Sequence, residues 1–475
     1  MRDAVKKPVA IVGGGITALT AALRLKQQHI PVRIYEAGSR VGGVVGSLRR
    51  QGHLAEFGPN SILETSPVIR DLVKDLDLES RRMYSDPGAN NRYIVRGKKP
   101  VLVPASPGGM VTTPLFSTRA KLRLLLEPLM RRAKPGVDES LARFVRRRLG
   151  AEFLDYAINP LVAGIYAGDP AALSVQHAFP KLHALEQKYG SLFIGQVLGA
   201  RERKRRREVS KQDAPKFSFD EGLQVLIDAL RGRLSAEIET AAPVKELEPQ
   251  CGDWICRPAS GAFAPETFSA VLLAVPAYAL ARLRIKGVPA IDLSLFDQIY
   301  YPPVASVVLG FRRQEVGHPL DGFGVLVPER ENFHILGALF SSSLFPNRAP
   351  AGEVTLTSYI GGARDPGLVA QSEEALATIA CRDLAEILNI KGEPTFRHVT
   401  LYPRAIPQYN VGFGRFKDRM TALERQAPGV FVAGHCRDGV SLADSIVSGH
   451  NVAARIHEFL QTHHQPAIVD LLSAT

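Results

Sequence analysis

Four apolar residues in succession, Val9–Val12, run into Gly13-Gly14-Gly15, and from Ile16 to Gln28 apolar positions return every three or four residues. A short apolar run closed by glycine predicts a buried strand, and the spacing that follows predicts a helix packed along one face. A second apolar stretch, Val32–Tyr35, ends on Glu36. Strand, helix and strand in this order predict a βαβ unit with parallel strands. From about 86 to 211 the pattern becomes helix-like and rich in Leu and Arg, broken by Pro104, Pro107, Pro114, Pro128 and Pro135. Helix and strand signals mix again over 217–285, where Val271–Val275 predicts a buried strand. Over 299–362 the alternation is that of antiparallel strands, at Ser306–Gly310, Phe323–Val327, Ile335–Phe340 and Val354–Ile360. A helix at about 371–388, a strand at Phe396–Leu401, a strand at Val430–Ala433 and a helix over Val440–Leu460 complete the chain. Strand–helix signals at the start, middle and end predict an α/β protein whose principal domain is discontinuous, and no internal repeat is visible.

With 475 residues the chain exceeds one ordinary core, so two or three lobes are expected. Its four cysteines, Cys251, Cys256, Cys381 and Cys436, form no CxxC pair and have no histidine at zinc-finger spacing. Reduced thiols and no metal site are the expectation. No run of 18 apolar residues exists, and Met1 leads to the first strand without a hydrophobic or Arg/Ser-rich leader. We therefore expect neither a membrane-crossing helix nor a signal or transit peptide.

Charge changes this picture. The net +12 is concentrated in 119–148, with ten Lys/Arg against three Asp/Glu, and in 201–207, with six against one. A localised basic surface suits an acidic partner such as anionic lipid or a polycarboxylate, while a solvated loop accounts equally for 201–207. No nucleic-acid-binding module accompanies the charges, so nucleic acid is not an expected partner.

The sharpest motif is Gly13-x-Gly15-x-x-Ala18 with Glu36 after the second strand. Gly13 permits the turn, Gly15 lets backbone approach a pyrophosphate, and Ala18 allows close helix–strand packing. The helix N-terminus at Ile16 and Thr17 then offers free N–H groups and positive dipole to phosphate. Glu36 can accept from ribose hydroxyls and repels a 2′-phosphate, which disfavours NADP. Gly14 and Ala37 complete this candidate dinucleotide site.

Ser39-Arg40-x-Gly42-Gly43, followed by Glu56-Phe57-Gly58-Pro59-Asn60-Ser61, resembles the glycine-doublet signature of the FAD-binding amine-oxidase-like superfamily. Arg40, Gly43, Val44, Gly58, Pro59, Asn60 and Ser61 become candidate FAD contacts on that resemblance. At the far end, Phe431-Val432-Ala433-Gly434 leads through His435 to Asp438-Gly439-Val440-Ser441-Leu442 and a helix. A second helix N-terminus there, with Gly434, His435, Val440, Ser441 and Leu442, could face the electron-rich edge of the flavin.

Nearly the whole chain resembles the protoporphyrinogen oxidase family. Asn91-Arg92-Tyr93, Leu161–Pro170, Phe219–Gln224, Leu336–Pro346, Tyr359–Gly362 and Ala405–Tyr409 carry the resemblance in combination. It implies a discontinuous Rossmann-like FAD domain (1–85, 212–290, 405–475), a helical membrane-associated domain (86–211) and a mixed-sheet substrate domain (291–404). It also implies O2-dependent, six-electron oxidation of protoporphyrinogen IX to protoporphyrin IX with peroxide as by-product. By the same resemblance Arg92 pairs with a substrate propionate, Leu326 and Leu339 sandwich the macrocycle, and Tyr359 stacks on a pyrrole. Gly164 lies where backbone meets substrate, and Val244 meets the adenine end of FAD. Without the resemblance, Leu326, Leu339 and Tyr359 read equally as sheet core and Arg92 as a solvated arginine.

Each two-electron step removes hydride from a methylene bridge and a proton from a pyrrole nitrogen. The electron-rich pyrroles stabilise the developing cation, so no strong protein base is required and no acid–base residue is assigned. Cys436, where relatives differ, raises a covalent flavin link as one alternative. Coproporphyrinogen III oxidation, another flavin amine oxidase-like reaction, and a noncatalytic FAD protein are the rival readings. A cytoplasmic protein held peripherally at the cytoplasmic face of the cell membrane, with a homodimer possible, is the expected setting.

Overall fold

A computed structural model of the chain describes residues 7–134, 136–196, 198–199, 214–259, 261, 263–287 and 292–463; the basic run 201–207 lies outside them. The expected βαβ opening is present: strand β1 (Val9–Val12), helix α1 (Ile16–Gln27) and strand β2 (Val32–Tyr35). These strands belong to a five-stranded, wholly parallel sheet in the order 238–239, 32–35, 9–12, 270–273, 430–432. The beginning, middle and end of the chain thus build one sheet, as the interleaved pattern predicts. β1 is buried on both faces: Val9 and Ile11 join a core with α1 and the C-terminal helix, Ala10 and Val12 one with Trp254 and Phe268. An interior parallel strand has no solvent side, which is why its sequence is apolar without alternation. α1 packs on the C-terminal helix (Leu442–His463) at Gly449, where a Cβ would lie 2.5 Å from the Thr17 carbonyl oxygen.

The other large sheet is mixed and seven-stranded, in the order 396–402, 304–312, 353–361, 335–339, 322–326, 91–96, 99–102. All neighbours are antiparallel except 322–326 with 91–96. Residues 91–102 fall within the stretch expected to be helical, yet they supply two strands of this sheet. Its alternating pattern divides the faces. Val307, Leu309, Val325, Ala338 and Leu356 pack against the helix Glu373–Leu388, whereas Val308 packs on Ala55 of the cofactor lobe.

The remaining helices (Thr118–Leu125, Leu141–Arg148, Asn159–Tyr166 and Pro180–Tyr189 among them) form a smaller lobe. Leu115, Phe116 and Ala120 attach it to Ile94 and Leu326, on the sheet face opposite the Glu373–Leu388 helix. Its basic character is partly internal, so not all of the arginine excess over 119–148 belongs to the localised basic surface expected from the sequence. Arg148 is fully buried, its Nε 2.6 Å from Glu186 Oε1 and its Nη1 3.1 Å from Glu127 Oε1. Arg147 pairs with Glu186 at 2.6 Å and with Glu139. Burial alone would raise the Glu186 carboxyl, but Arg147 and Arg148 outweigh it and hold the group below its ordinary value.

Candidate functional site

The C-terminal ends of the parallel strands converge on one crevice, between β1 and its two neighbours. Gly13 leaves β1 at φ 104°, and a Cβ there would lie 2.6 Å from the Ala274 carbonyl oxygen. At Gly15 the corresponding Cβ would meet nothing within 4 Å. Gly42 N–H donates to the Gly14 carbonyl at 2.8 Å, so the glycine doublet lies along the first glycine turn. Gly43 brings its own Cβ position to 3.5 Å from Gly15 Cα. No side chain caps the N-terminus of α1. An open, glycine-walled cradle facing uncapped helical N–H groups at Ile16, Thr17 and Ala18 fits the pyrophosphate of a dinucleotide.

Glu36 has a second task that its spacing does not reveal. Its Oε2 accepts from Gly14 N–H at 2.6 Å and its Oε1 from Gly38 N–H at 2.7 Å. A carboxylate offers about four acceptor positions, so ribose hydroxyls can still be held. Ala37 lies exposed beside it, and Val244 joins the cluster containing Val12 and Tyr35 at the same end of the sheet. Arg40 likewise has bonds of its own within the site. Its guanidinium donates to the carbonyls of Gly43 at 2.7 Å and Val45 at 3.1 Å, which fixes the doublet loop beneath the exposed Val44.

The closing segment meets the opening one. Gly434, at φ 107°, has its Cβ position 3.6 Å from Thr17 Oγ1, and its N–H donates to Ser448 Oγ at 2.9 Å. Ser441 caps the C-terminal helix beside Val440 and Leu442, accepting from Asp444 N–H at 3.1 Å. Tyr409 braces this turn: its hydroxyl donates to the His435 carbonyl at 2.5 Å and accepts from Gly439 N–H at 3.0 Å. Burial pushes the His435 imidazole down to about 4 and the Cys436 thiol up to about 12. A neutral imidazole and a buried protonated thiol offer no activated nucleophile, which argues against a covalent Cys436–flavin link.

The residues expected at the substrate share one sheet face. Cross-strand register sets Arg92 opposite Gly324 and Gly324 opposite Leu339; one row along, Leu326 stands opposite Gly337 and Gly337 opposite Tyr359. Side chains directly opposite project to the same side, and so do residues two apart on one strand. Gly324 and Gly337, which carry no side chain, are therefore bordered on one face by Arg92, Leu326, Leu339 and Tyr359, and this glycine-floored strip is the candidate trough for the substrate. Gly164 covers it from the helical lobe, its Cβ position 2.8 Å from Leu326 Cδ2. The cofactor lobe closes the third side. Asn60 Nδ2 donates to the Tyr359 hydroxyl at 2.6 Å, and that hydroxyl donates to the Gly58 carbonyl at 3.1 Å. Burial holds the hydroxyl well above its ordinary pKa, so it stays a neutral donor. Pro59 and Ser61 flank Asn60 in the same loop, and Ser61 leads directly into the strand Ile62–Leu63.

Two groups were not legible as site residues. Glu56 is buried against Arg348 at 3.4 Å and accepts from Ser47 Oγ at 2.6 Å; burial pushes it up to about 7 despite Arg348. This pair joins the cofactor loop to the substrate sheet, and Glu56 standing immediately before Phe57-Gly58 was its one sequence signal. The other is Lys216, whose ammonium lies 5.7 Å from the Phe323 ring centroid.

Comparison with known proteins agrees with this geometry. The family model for flavin containing amine oxidoreductase matches residues 18–457. The mitochondrial protoporphyrinogen oxidase of Nicotiana tabacum is 33% identical over 96% of each chain. The coproporphyrinogen III oxidase of Bacillus subtilis is 31% identical, over 94% of this chain and 96% of its own. A crystal structure from Exiguobacterium, assigned as a protoporphyrinogen oxidase, is 26% identical with a TM-score of 0.80, covering 95% of this chain and 99% of that one. The fold is also that of reduced UDP-galactopyranose mutase, at 15% identity and TM-score 0.72. The chain belongs to the flavin containing amine oxidoreductases, in the group of the protoporphyrinogen and coproporphyrinogen III oxidases, and is an FAD-dependent oxidoreductase.

Proposed function

We propose that the protein oxidises protoporphyrinogen IX to protoporphyrin IX in porphyrin biosynthesis, with O2 as the final acceptor. The observation that carries this reading is the trough: apolar Leu326 and Leu339, a neutral Tyr359 and a cation at Arg92, set against the Gly58–Ser61 cofactor loop. When bound, FAD supplies the two-electron oxidising chemistry. The protein's part is orientation and exclusion of water. Leu326 and Leu339 hold the macrocycle by its faces, and Arg92, exposed at the trough's edge, anchors a carboxylate. The Asn60–Tyr359–Gly58 bonds lock the substrate sheet to the cofactor loop, which fixes the distance between the two bound molecules. Anaerobic mixing with each porphyrinogen while following flavin absorbance tests the reading. Rapid bleaching by protoporphyrinogen IX is expected. Bleaching by coproporphyrinogen III alone would transfer the assignment to that tetracarboxylate and leave fold and cofactor untouched.

The helical lobe supports peripheral membrane association at the cytoplasmic face as part of the same proposal. Leu125 and Leu129 are 75% and 78% exposed, Val111 and Leu122 lie exposed nearby, and Arg119 and Arg131 flank them. Among the described residues no helix is long and apolar enough to cross a membrane. Leucines dipping into the interface beneath arginines at headgroup level fit this surface. Each such cation contributes about 1 kcal/mol near an anionic bilayer, screened beyond roughly 8 Å at physiological salt. Flotation with anionic vesicles should be strong at low salt, weaker at high salt and reduced by Leu125→Ser/Leu129→Ser. Equal binding to neutral and anionic vesicles, or none, would refute it.

A further inference from the structure

Lys216 stands on the central strand (Lys216–Phe219) of a three-stranded sheet whose outer strands are Ile62–Leu63 and Arg82–Tyr84. Leu63 is its register partner, so Lys216 lies beside the strand that continues the Gly58–Ser61 cofactor loop. From that side of the crevice its ammonium reaches Phe323, 5.7 Å from the ring centroid. Phe323 immediately precedes Gly324, and Gly324 is the register partner of Arg92. The two cations therefore come to the same end of the 322–326 strand from opposite lobes, near enough for the charge of Arg92 to act on Lys216. Burial first, and then the charge of Arg92, lowers the Lys216 ammonium below its ordinary value. Neither side chain is paired with a carboxylate among the described residues. Two neighbouring cations without an acid disfavour one another's charge, and a bound anion would relieve both. Because they arrive from different lobes, one rigid ligand with neighbouring carboxylates would satisfy both.

We propose that Lys216 and Arg92 form a paired-cation clamp for two carboxylates on one edge of the substrate, with Lys216 the second, specificity-determining contact. The proposal rests on the porphyrinogen reading and deepens it. Two cations match the two propionates of protoporphyrinogen IX, whereas coproporphyrinogen III would leave two further carboxylates to be satisfied elsewhere.

The probe is protoporphyrin IX, titrated in parallel with its dimethyl ester into the flavin-loaded wild type, Lys216→Met and Lys216→Arg. Methionine retains the length and apolar stem, so flavin content should not change. For Lys216→Met we expect the Kd of the diacid to rise roughly tenfold or more, the worth of one charge-assisted hydrogen bond. The Kd of the ester should stay constant, and Lys216→Arg should recover most of the loss. An unchanged diacid Kd in Lys216→Met, or equal losses for diacid and ester, would overturn the clamp. Failure of protoporphyrinogen IX to bleach the wild-type flavin would instead count against the substrate reading, whatever Lys216 does.

Discussion

A Gly13→Val protein should purify without the yellow colour of bound flavin. The position combines φ 104° with a Cβ site 2.6 Å from the Ala274 carbonyl oxygen and 3.1 Å from Val275 Cγ1. A β-branched residue is excluded from that backbone region, and the nearest obstacle is main chain, at Ala274 just past the neighbouring strand. Relief requires the end of β1 to move away from the 270–273 strand, which carries Gly14 and Gly15 out of the cradle. Backbone strain of this kind costs about 1–3 kcal/mol before the steric term is added. Every ~1.4 kcal/mol is tenfold in affinity, so we expect FAD binding weakened by roughly a hundredfold or more. Gly15→Ala is the informative partner. Its Cβ would meet no protein atom within 4 Å, so the apo fold should tolerate it and any loss of FAD reports the approach of the cofactor itself. The flavin-to-protein absorbance ratio checks both, and a fully occupied Gly13→Val protein would refute the placement of the pyrophosphate.

That prediction was available from sequence because everything it uses is local. Gly13, Gly15, Ala18 and Glu36 span one βαβ unit, and the physical demands of turn, approach and packing act on neighbouring residues. The substrate trough was legible only in part. Alternation along 304–361 announced strands with two faces, but it does not state which strands pair, and register is set by the whole sheet. The 91–96 strand joins in parallel with 322–326, across more than two hundred residues of chain. Arg92 thus read as a solvated arginine until the resemblance supplied a role. Lys216 gave no signal at all, since its significance lies in what it faces. Long-range charge compensation was equally hidden. A count over 119–148 shows excess arginine, whereas Glu186, which neutralises Arg147 and Arg148, lies 38 residues beyond the latter.

Arg148→Ala should destabilise the helical lobe by about 3–5 kcal/mol, the cost of leaving buried charges without their partner. Arg148 bonds Glu186 and Glu127 and donates to the carbonyls of Met130 at 3.1 Å and Gly190 at 2.5 Å. Among the described residues Glu127 has no other cation; its remaining bonds come from Ser191, from the Leu192 N–H at 3.0 Å and from the Phe193 N–H at 3.4 Å. Without the guanidinium it must either protonate or draw water inside, and the turn Glu127–Leu129 that carries the exposed Leu129 loses its anchor. Glu186 fares better, since Arg147 still pairs with it at 2.6 Å. Because the chain has several lobes, one global unfolding energy would blur this effect. Hydrogen exchange resolves it: amides of 141–148 and 180–189 should lose protection while those of α1 and β1 keep theirs. Flavin content should be retained, and vesicle flotation should weaken as the leucine-bearing turn loosens. Arg148→Lys should restore only part of the protection, because one ammonium cannot reproduce the guanidinium's spread of donors to two carboxylates and three carbonyls. Protection changes below about 1 kcal/mol would show that water or rearranged partners compensate the buried carboxylates, and that the network is dispensable for the lobe.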